Sequence, residues 1–411
     1  MPKLTAQDAA NARRQFRKRR LQAFLFVVPL LIFILFAFVA PITTMLFRSV
    51  YNPTVAELVP ETLEMLEDWE GETLPDAAVI TQMAIDMKRM ANNRTSGRFA
   101  DEINRALPGM SSVIKSTARG LRRADDAELA ANGAEMLLEE NDRWSRPATW
   151  RAIRSAGQGN TSSYYLTAVD MEYDAEGEVV MRDTQIYKQL YTKTLRMAMV
   201  ITGLTMILGY PLAFYMSQAS PARANFLMVF VLLPFWTSLL VRTSAWKVML
   251  QQQGVINDVL VWIGLVADDT RLVMINNQAG TIIAMTHILL PFMILPMYSV
   301  MQTIQPTYLR AAKSMGATNW TAFWRVSFPQ AVPGIGAGSI LVFILAIGYY
   351  ITPEIVGGTT GTFISNRIAY HISSALNWGL AAALGTILLA AVLILYWAYD
   401  KIVGIDNVKL G

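Results

Sequence analysis

Five polar side chains stand in or beside long apolar stretches, and their types bound the chemistry on offer: Thr237, Arg242, Thr243, Glu354 and Asn366. A guanidinium, a carboxylate, two hydroxyls and an amide can line a water-filled path and recognise a polar solute by charge and hydrogen bonding. Glu354 alone would favour a cation, and Arg242 argues the other way if both face that path. Arg242 and Lys247 could equally snorkel toward a membrane interface. None of this makes a catalytic set. No Ser or Thr in these stretches has a basic partner at useful spacing, and no Gly-x-x-x-x-Gly-Lys-Ser/Thr loop offers a phosphate cradle. There are no cysteines, and His287 and His371 lie far apart, neither in a His-x-x-x-His spacing. His287 reads as a helix-packing or pore-lining side chain. The expectation is a chain that is no enzyme, with no catalytic residue, metal site or cofactor of its own.

A second group suits mechanical work. Leu309, Arg310, Ala311, Ala312, Lys313, Met315 and Gly316 lie between two apolar spans, and Val326, Phe328 and Pro329 follow ten residues after the glycine. Pro306 fits a first helical turn, and Gly316 can take the left-handed position that stops a helix. Thr318 or Asn319 can cap a second short helix carrying Trp320, Phe323 and Trp324, which Pro329 is expected to end or bend. Leu309, Ala312 and Met315 recur every third residue beside the cationic edge of Arg310 and Lys313, a pattern suited to docking a partner.

The elements that position these groups are membrane spans. Hydrophobic residues make up 53% of the 411-residue chain and charged residues only 16%. The runs 21–47, 197–222, 224–241, 272–309, 326–353 and 368–399 contain no Asp, Glu, Lys or Arg. About 20 helical residues cross a hydrocarbon core, so spans are expected at 21–44, 193–217, 224–247, 279–301, 334–353 and 379–399. The first exceeds the apolar region of a cleaved signal and reads as an anchor. Arg13, Arg14, Arg17, Lys18, Arg19 and Arg20 precede it, which places that end in the cytoplasm, and six spans return the C-terminus there. Arg223, Arg310, Lys313, Arg325, Lys401 and Lys409 agree; Lys193, Arg196, Arg271 and Arg367 fall outside and dissent. A nucleic-acid partner is not expected, because the chain has no soluble basic face.

The organisation predicted is a basic cytoplasmic N-terminus (1–20), the first span (21–44), a soluble extracytoplasmic insertion (48–192), a five-helix core (193–399) that includes the cytoplasmic loop 302–333, and a cytoplasmic tail (400–411). The insertion holds 24 acidic residues against 16 Lys and Arg, a balance of about −8. Ala77–Met90 and Asp125–Glu140 read as amphipathic helices, with Ile80, Met83 and Met87 on one face and Leu129, Met136 and Leu137 more loosely aligned. Tyr164–Val169 and Val179–Met181 read as strands around the turn Asp174–Gly177. The insertion is therefore expected to be mixed α/β, with apolar residues sparse from Ala91 to Gly120.

Ala311, Ala312, Gly316, Val326, Phe328 and Pro329 resemble the cytoplasmic motif of type I ABC importer permeases. Leu233–Trp246 and Ile351–Gly358 are similar to segments of the spermidine/putrescine-type branch of that family. The resemblance covers roughly residues 15–45 and 190–405. It implies an all-α polytopic membrane protein of six transmembrane helices, a permease in a bacterial inner membrane that serves a small polar solute, with a polyamine as the default. The partners it implies are two ATP-binding subunits, which carry ATP and Mg, a second permease subunit of a different chain, an extracytoplasmic solute-binding protein and the lipid bilayer. The loop residues named above would then enter a cleft on the ATPase. Arg310 departs from the pattern, since many members carry a glutamate there. From the residues alone, a membrane sensor or scaffold with an outer ligand domain is the alternative.

Overall fold

The computed structural model describes residues 6–173 and 179–403; the Asp174–Gly177 turn and Lys409 lie outside the described residues. Two compact units divide the chain, Met1–Tyr164 and Tyr165–Gly411. The named elements among the described residues are helices apart from one antiparallel ribbon, Met171–Tyr173 with Val179–Met181.

In the first unit the first span is a helix over Lys18–Arg48. A π-turn at Leu35–Val39 interrupts it just before Pro41, with the Ala40 N–H donating to Leu35 O. Proline lacks an N–H and its ring crowds the carbonyl four residues back, so the wider turn spends one residue to let the helix continue. The apolar side chains of this span are exposed, Phe26 at 87% and Phe36 at 82%.

Beyond it, the entry and exit of a helical module are tied together. The Asn52 N–H donates to Gly159 O and the Thr161 N–H to Val50 O, both at 2.8 Å. Asn52 Nδ2 also donates to Glu102 Oε2 at 2.8 Å and to the Tyr164 hydroxyl at 2.7 Å. Burial, and then the Glu102 carboxylate, push that phenol up to about 12. The helices between, Ala77–Asn92, Ser96–Ala106, Met110–Leu121, Asp126–Glu140 and Pro147–Gly157, enclose their own core. Ile80, Met83 and Met87 share the buried face read for them. The stretch 91–120, sparse in apolar residues, still commits Phe99, Ile103, Met110 and Ile114 to that core.

The expected strand at 164–169 is instead the helix Ser163–Ala168. The Ser163 N–H donates to the Thr161 hydroxyl at 3.2 Å, a local turn that favours a helical start over an extended chain. The mixed α/β expectation for the insertion therefore reduces to helices and a single ribbon.

The second unit holds the other spans: Tyr187–Gln218, the pair Pro221–Trp236 and Leu239–Met249, Gln278–Thr303, Asn319–Gly348 and Trp378–Lys401. Asp170 starts the first of them. Its buried carboxylate accepts the N–H groups of Ile186, Tyr187 and Lys188 at 2.7–3.0 Å, satisfying the free donors of the helix start.

The third span is not the single helix expected over 224–247 but bends by 96° around Trp236–Leu239. Pro234 sits in the 3₁₀ turn before the break, and Ser238 caps the new helix by accepting the Val241 N–H. The pair must still cross the bundle, because its neighbours run parallel. Thr194 bonds the Ile364 N–H and Thr281 bonds Gly361 O at one end, Gly209 lies against Met293 midway, and Tyr210 and Phe214 reach Phe323 toward the other end. The fifth span, expected at 334–353, is continuous from Asn319 to Gly348, since a second π-turn at Phe323–Ser327 carries the helix past Pro329. Pro329 therefore does not end the helix.

Candidate functional site

At one end of the bundle, the helix Pro306–Ser314 is closed by Gly316 at φ +87°, with the Gly316 N–H on Lys313 O and the Ala317 N–H on Ala312 O at 3.0 Å each. A side chain in that backbone region is strained, so glycine fits. Thr318 then caps the next turn by accepting the Thr321 N–H at 3.2 Å. The residues expected to form one ridge are divided between two faces. Leu309 is half-buried and Ala312 buried, whereas Met315 is 83% exposed. Tyr308, Ala311 and Met315 make the outward apolar edge, with Arg310 and Lys313 exposed beside them. Val326 and Phe328 are half-buried within the π-turn region and Pro329 is exposed. Beneath the loop, Phe323 contacts Tyr210, Phe214, Trp324 and Phe328 with ring centroids 5.2–6.2 Å apart. This aromatic packing gives the loop a rigid footing.

Toward the opposite end lie most of the polar groups read as path residues. Thr243 and Thr352 share a buried hydroxyl contact at 3.1 Å. Two residues on, Glu354 Oε2 accepts Asn366 Nδ2 at 2.6 Å, and Asn366 also donates to Tyr350 O and accepts the Phe363 N–H. The structure thus joins Thr243, Glu354 and Asn366 through one short segment. Thr237 sits at the break, its hydroxyl on Pro234 O. Arg242 differs from all of these: its Nε and Nη1 are buried with no hydrogen-bond partner. Beside it on the same helix, Trp246 Nε1 donates to His287 Nδ1 at 3.1 Å, which places the proton of a neutral ring on Nε2. His287 lies about 13 Å along its helix from the start at Gln278. Sequence reasoning named His287 as packing or pore-lining but missed Trp246 as its partner and Thr352 as the partner of Thr243. Their spacing from Arg242 and Thr243 becomes meaningful only once the break at 236–239 has turned the helix. Among the described residues no His, Cys, Asp or Glu cluster could hold a metal.

The fold is thus a leading apolar helix followed by a five-span bundle, with the chain's third span broken and a short helical loop between its fourth and fifth. The chain belongs to the family of binding-protein-dependent transport system inner membrane components, which it matches over residues 205–403. It is a multi-pass inner-membrane permease subunit of a type I ABC importer. It is 34% identical over 220 residues to the spermidine/putrescine transport system permease protein PotB of Haemophilus influenzae, covering 53% of this chain and 76% of that one. The Escherichia coli K12 protein of the same name is 32% identical, with 53% and 79% covered. The inner membrane ABC transporter permease protein YdcU of Escherichia coli K12 is 33% identical, with 52% and 70% covered. The family match begins after the helical module of the first unit.

Proposed function

We propose that this permease moves a small polar solute inward while partner ATPase subunits bind and hydrolyse ATP with Mg. Both termini and the loop 302–333 face the cytoplasm, and the insertion 48–192 faces outward, where a solute-binding protein delivers cargo. A second permease subunit completes the path between the bundles. The reading rests on one observation, the stiff helical projection at 306–316. It presents Tyr308, Arg310, Lys313 and Met315 outward, while Leu309 and Ala312 anchor it to its own bundle. A projection footed on packed aromatics transmits a push from an ATPase cleft to the spans instead of absorbing it in loose chain. Arg310 calls for an acidic or neutral residue in that cleft. Similarity to the two PotB proteins makes a polyamine the first solute to assay.

Gly316→Asp puts a strained, charged residue at φ +87° in the docking helix stop. ATP-driven uptake by the assembled transporter is expected to fall at least tenfold while the chain stays in the membrane; undiminished uptake defeats the coupling role. The chain has no cysteine, so Met315→Cys gives a single labelling site. Labelling of that site by an impermeant maleimide in intact cells would overturn the orientation.

A further inference from the structure

Two of the dissenting cations of the positive-inside pattern, Lys193 and Arg196, stand together on one helix, whereas Arg271 is held by Asp258 and Asp268. Lys188, Thr192 and Arg196 recur at fourfold spacing along the helix Tyr187–Gln218, and with Gln189 and Lys193 they line a shallow, open depression on one helix face. Lys193 Nζ spends one donor on Thr360 O at 3.1 Å, and the charge of Arg367 reaches it from the neighbouring helix Ile364–Ser373. Among the described residues, Lys188, Lys193 and Arg196 make no ion pair. Asp170, the nearby carboxylate, is occupied by three backbone N–H groups. Arg182 pairs with Glu172 instead.

Depth and facing decide what fits there. Directly below Arg196 the helix runs from Met197 to Gln218 without a charge, which is 22 residues and about 33 Å of rise. That length fills a hydrocarbon core, so Arg196 stands at its edge and Lys193 and Lys188 within the headgroup layer above. The same helix face continues downward as exposed Met199, Val200 and Ile207, at 60%, 43% and 63%. A cationic helix face at headgroup depth, continuous with an exposed apolar stripe, complements a molecule with an anionic head and a long apolar tail.

We propose that Lys188, Lys193 and Arg196 hold the phosphate of an acidic phospholipid whose acyl chains lie along Met199, Val200 and Ile207. These three outer cations then owe their placement to a lipid and not to the solute path. The site requires only that the chain be embedded in a bilayer, so it stands or falls separately from the coupling role of the loop.

The test is native mass spectrometry of the purified transporter released from membranes, with dioleoylphosphatidylglycerol and dioleoylphosphatidylcholine titrated in competition. Preferential retention of phosphatidylglycerol is expected, weakened at least tenfold in K188Q/K193Q/R196Q and preserved in R196K. Should the triple variant fail to fold, R196Q alone is expected to weaken retention about threefold. Equal retention of the two lipids, or no difference between wild type and variant, overturns the proposal. Displacement of the lipid by millimolar inorganic phosphate overturns it in favour of a free oxyanion site. Loss of solute-binding-protein association with lipid retention intact overturns it in favour of a protein-docking face.

Discussion

The helical module that follows the first span buries large side chains: Trp144, Trp150, Phe99, Leu66, Met83 and Ile114 are all essentially inaccessible. The bundle of later spans buries a different set, Met285, Leu289 and Met293 together with Gly334, Gly336 and Gly338, while Met199, Ile207 and Phe230 stay exposed. Both regions are helical, so secondary structure does not explain the contrast; the surrounding solvent does. In water, covering a large apolar side chain is the main source of stability. In a bilayer the lipid is as apolar as leucine, so exposed apolar surface carries no penalty. Helices then associate through close backbone approach and hydrogen bonds such as that between Thr243 and Thr352.

The largest effect that could break this contrast is cavity formation in the module. Phe99→Ala removes a fully buried ring and is expected to cost about 3–5 kcal/mol of module stability. Hydrogen exchange of the helices Ser96–Ala106 and Met110–Leu121 under native conditions measures it. A loss below about 1 kcal/mol would mean the module does not depend on its core. In the bundle the sensitive direction is reversed, toward larger residues. A Cβ at Gly338 would lie 2.9 Å from Met293 O, a backbone atom that cannot swing away. Gly338→Val is expected to cost about 1–3 kcal/mol by forcing the fourth and fifth spans apart. Thermal unfolding of the purified transporter in detergent checks it, and an unchanged midpoint would show that the contact is not needed.

Much of the bundle was legible because absence of charge is a strong signal: the spans read at 193–217, 224–247, 279–301 and 379–399 fall inside the observed ones, and that at 334–353 overlaps a helix that ends at Gly348. The break at Trp236–Leu239 was not, although Pro234 and Ser238 stood there, because an apolar stretch of spanning length reads as one helix unless a cap is weighed against it. The π-turns were also hidden; a proline ordinarily marks an end, and only the fold reveals that a widened turn has accommodated it. The helical module was the least legible part. In the helix Ser96–Ala106 single large residues, Phe99 and Ile103, do the packing without a dense apolar stripe. In the candidate site, Glu354 and Asn366 were named separately and are joined at 2.6 Å, while the Trp246–His287 bond needed the broken span to bring it about. The loop helix and its stop at Gly316 were readable from local chain chemistry alone, but which face was buried was not, because that depends on the helix beside it.

The smallest effect separates the two regions by what their buried polar groups can do as pH changes. Inside the spans the fully buried polar positions include Thr194, Thr205 and Thr281, which do not titrate. The module instead buries Asp86, which accepts the Thr62 hydroxyl at 2.6 Å and pairs with Arg89 at 2.7 Å. Burial pushes the Asp86 carboxyl above its ordinary range of 3.8, and the hydrogen bond from Thr62 and the charge of Arg89 only partly offset it. A carboxyl raised in the folded state takes up its proton there before the unfolded chain does. This group's contribution to stability therefore grows as pH falls from neutral through the raised value, and levels off once pH is below the unfolded value. The comparison is made against Asp86→Asn, which keeps the shape and cannot titrate. The difference in module stability, wild type minus Asp86→Asn, is expected to shift in favour of wild type between pH 7 and about pH 4. A difference that stays flat, or that moves in favour of the variant, would mean Asp86 is held charged in the fold and that the module treats this buried carboxylate as half of an ion pair with Arg89.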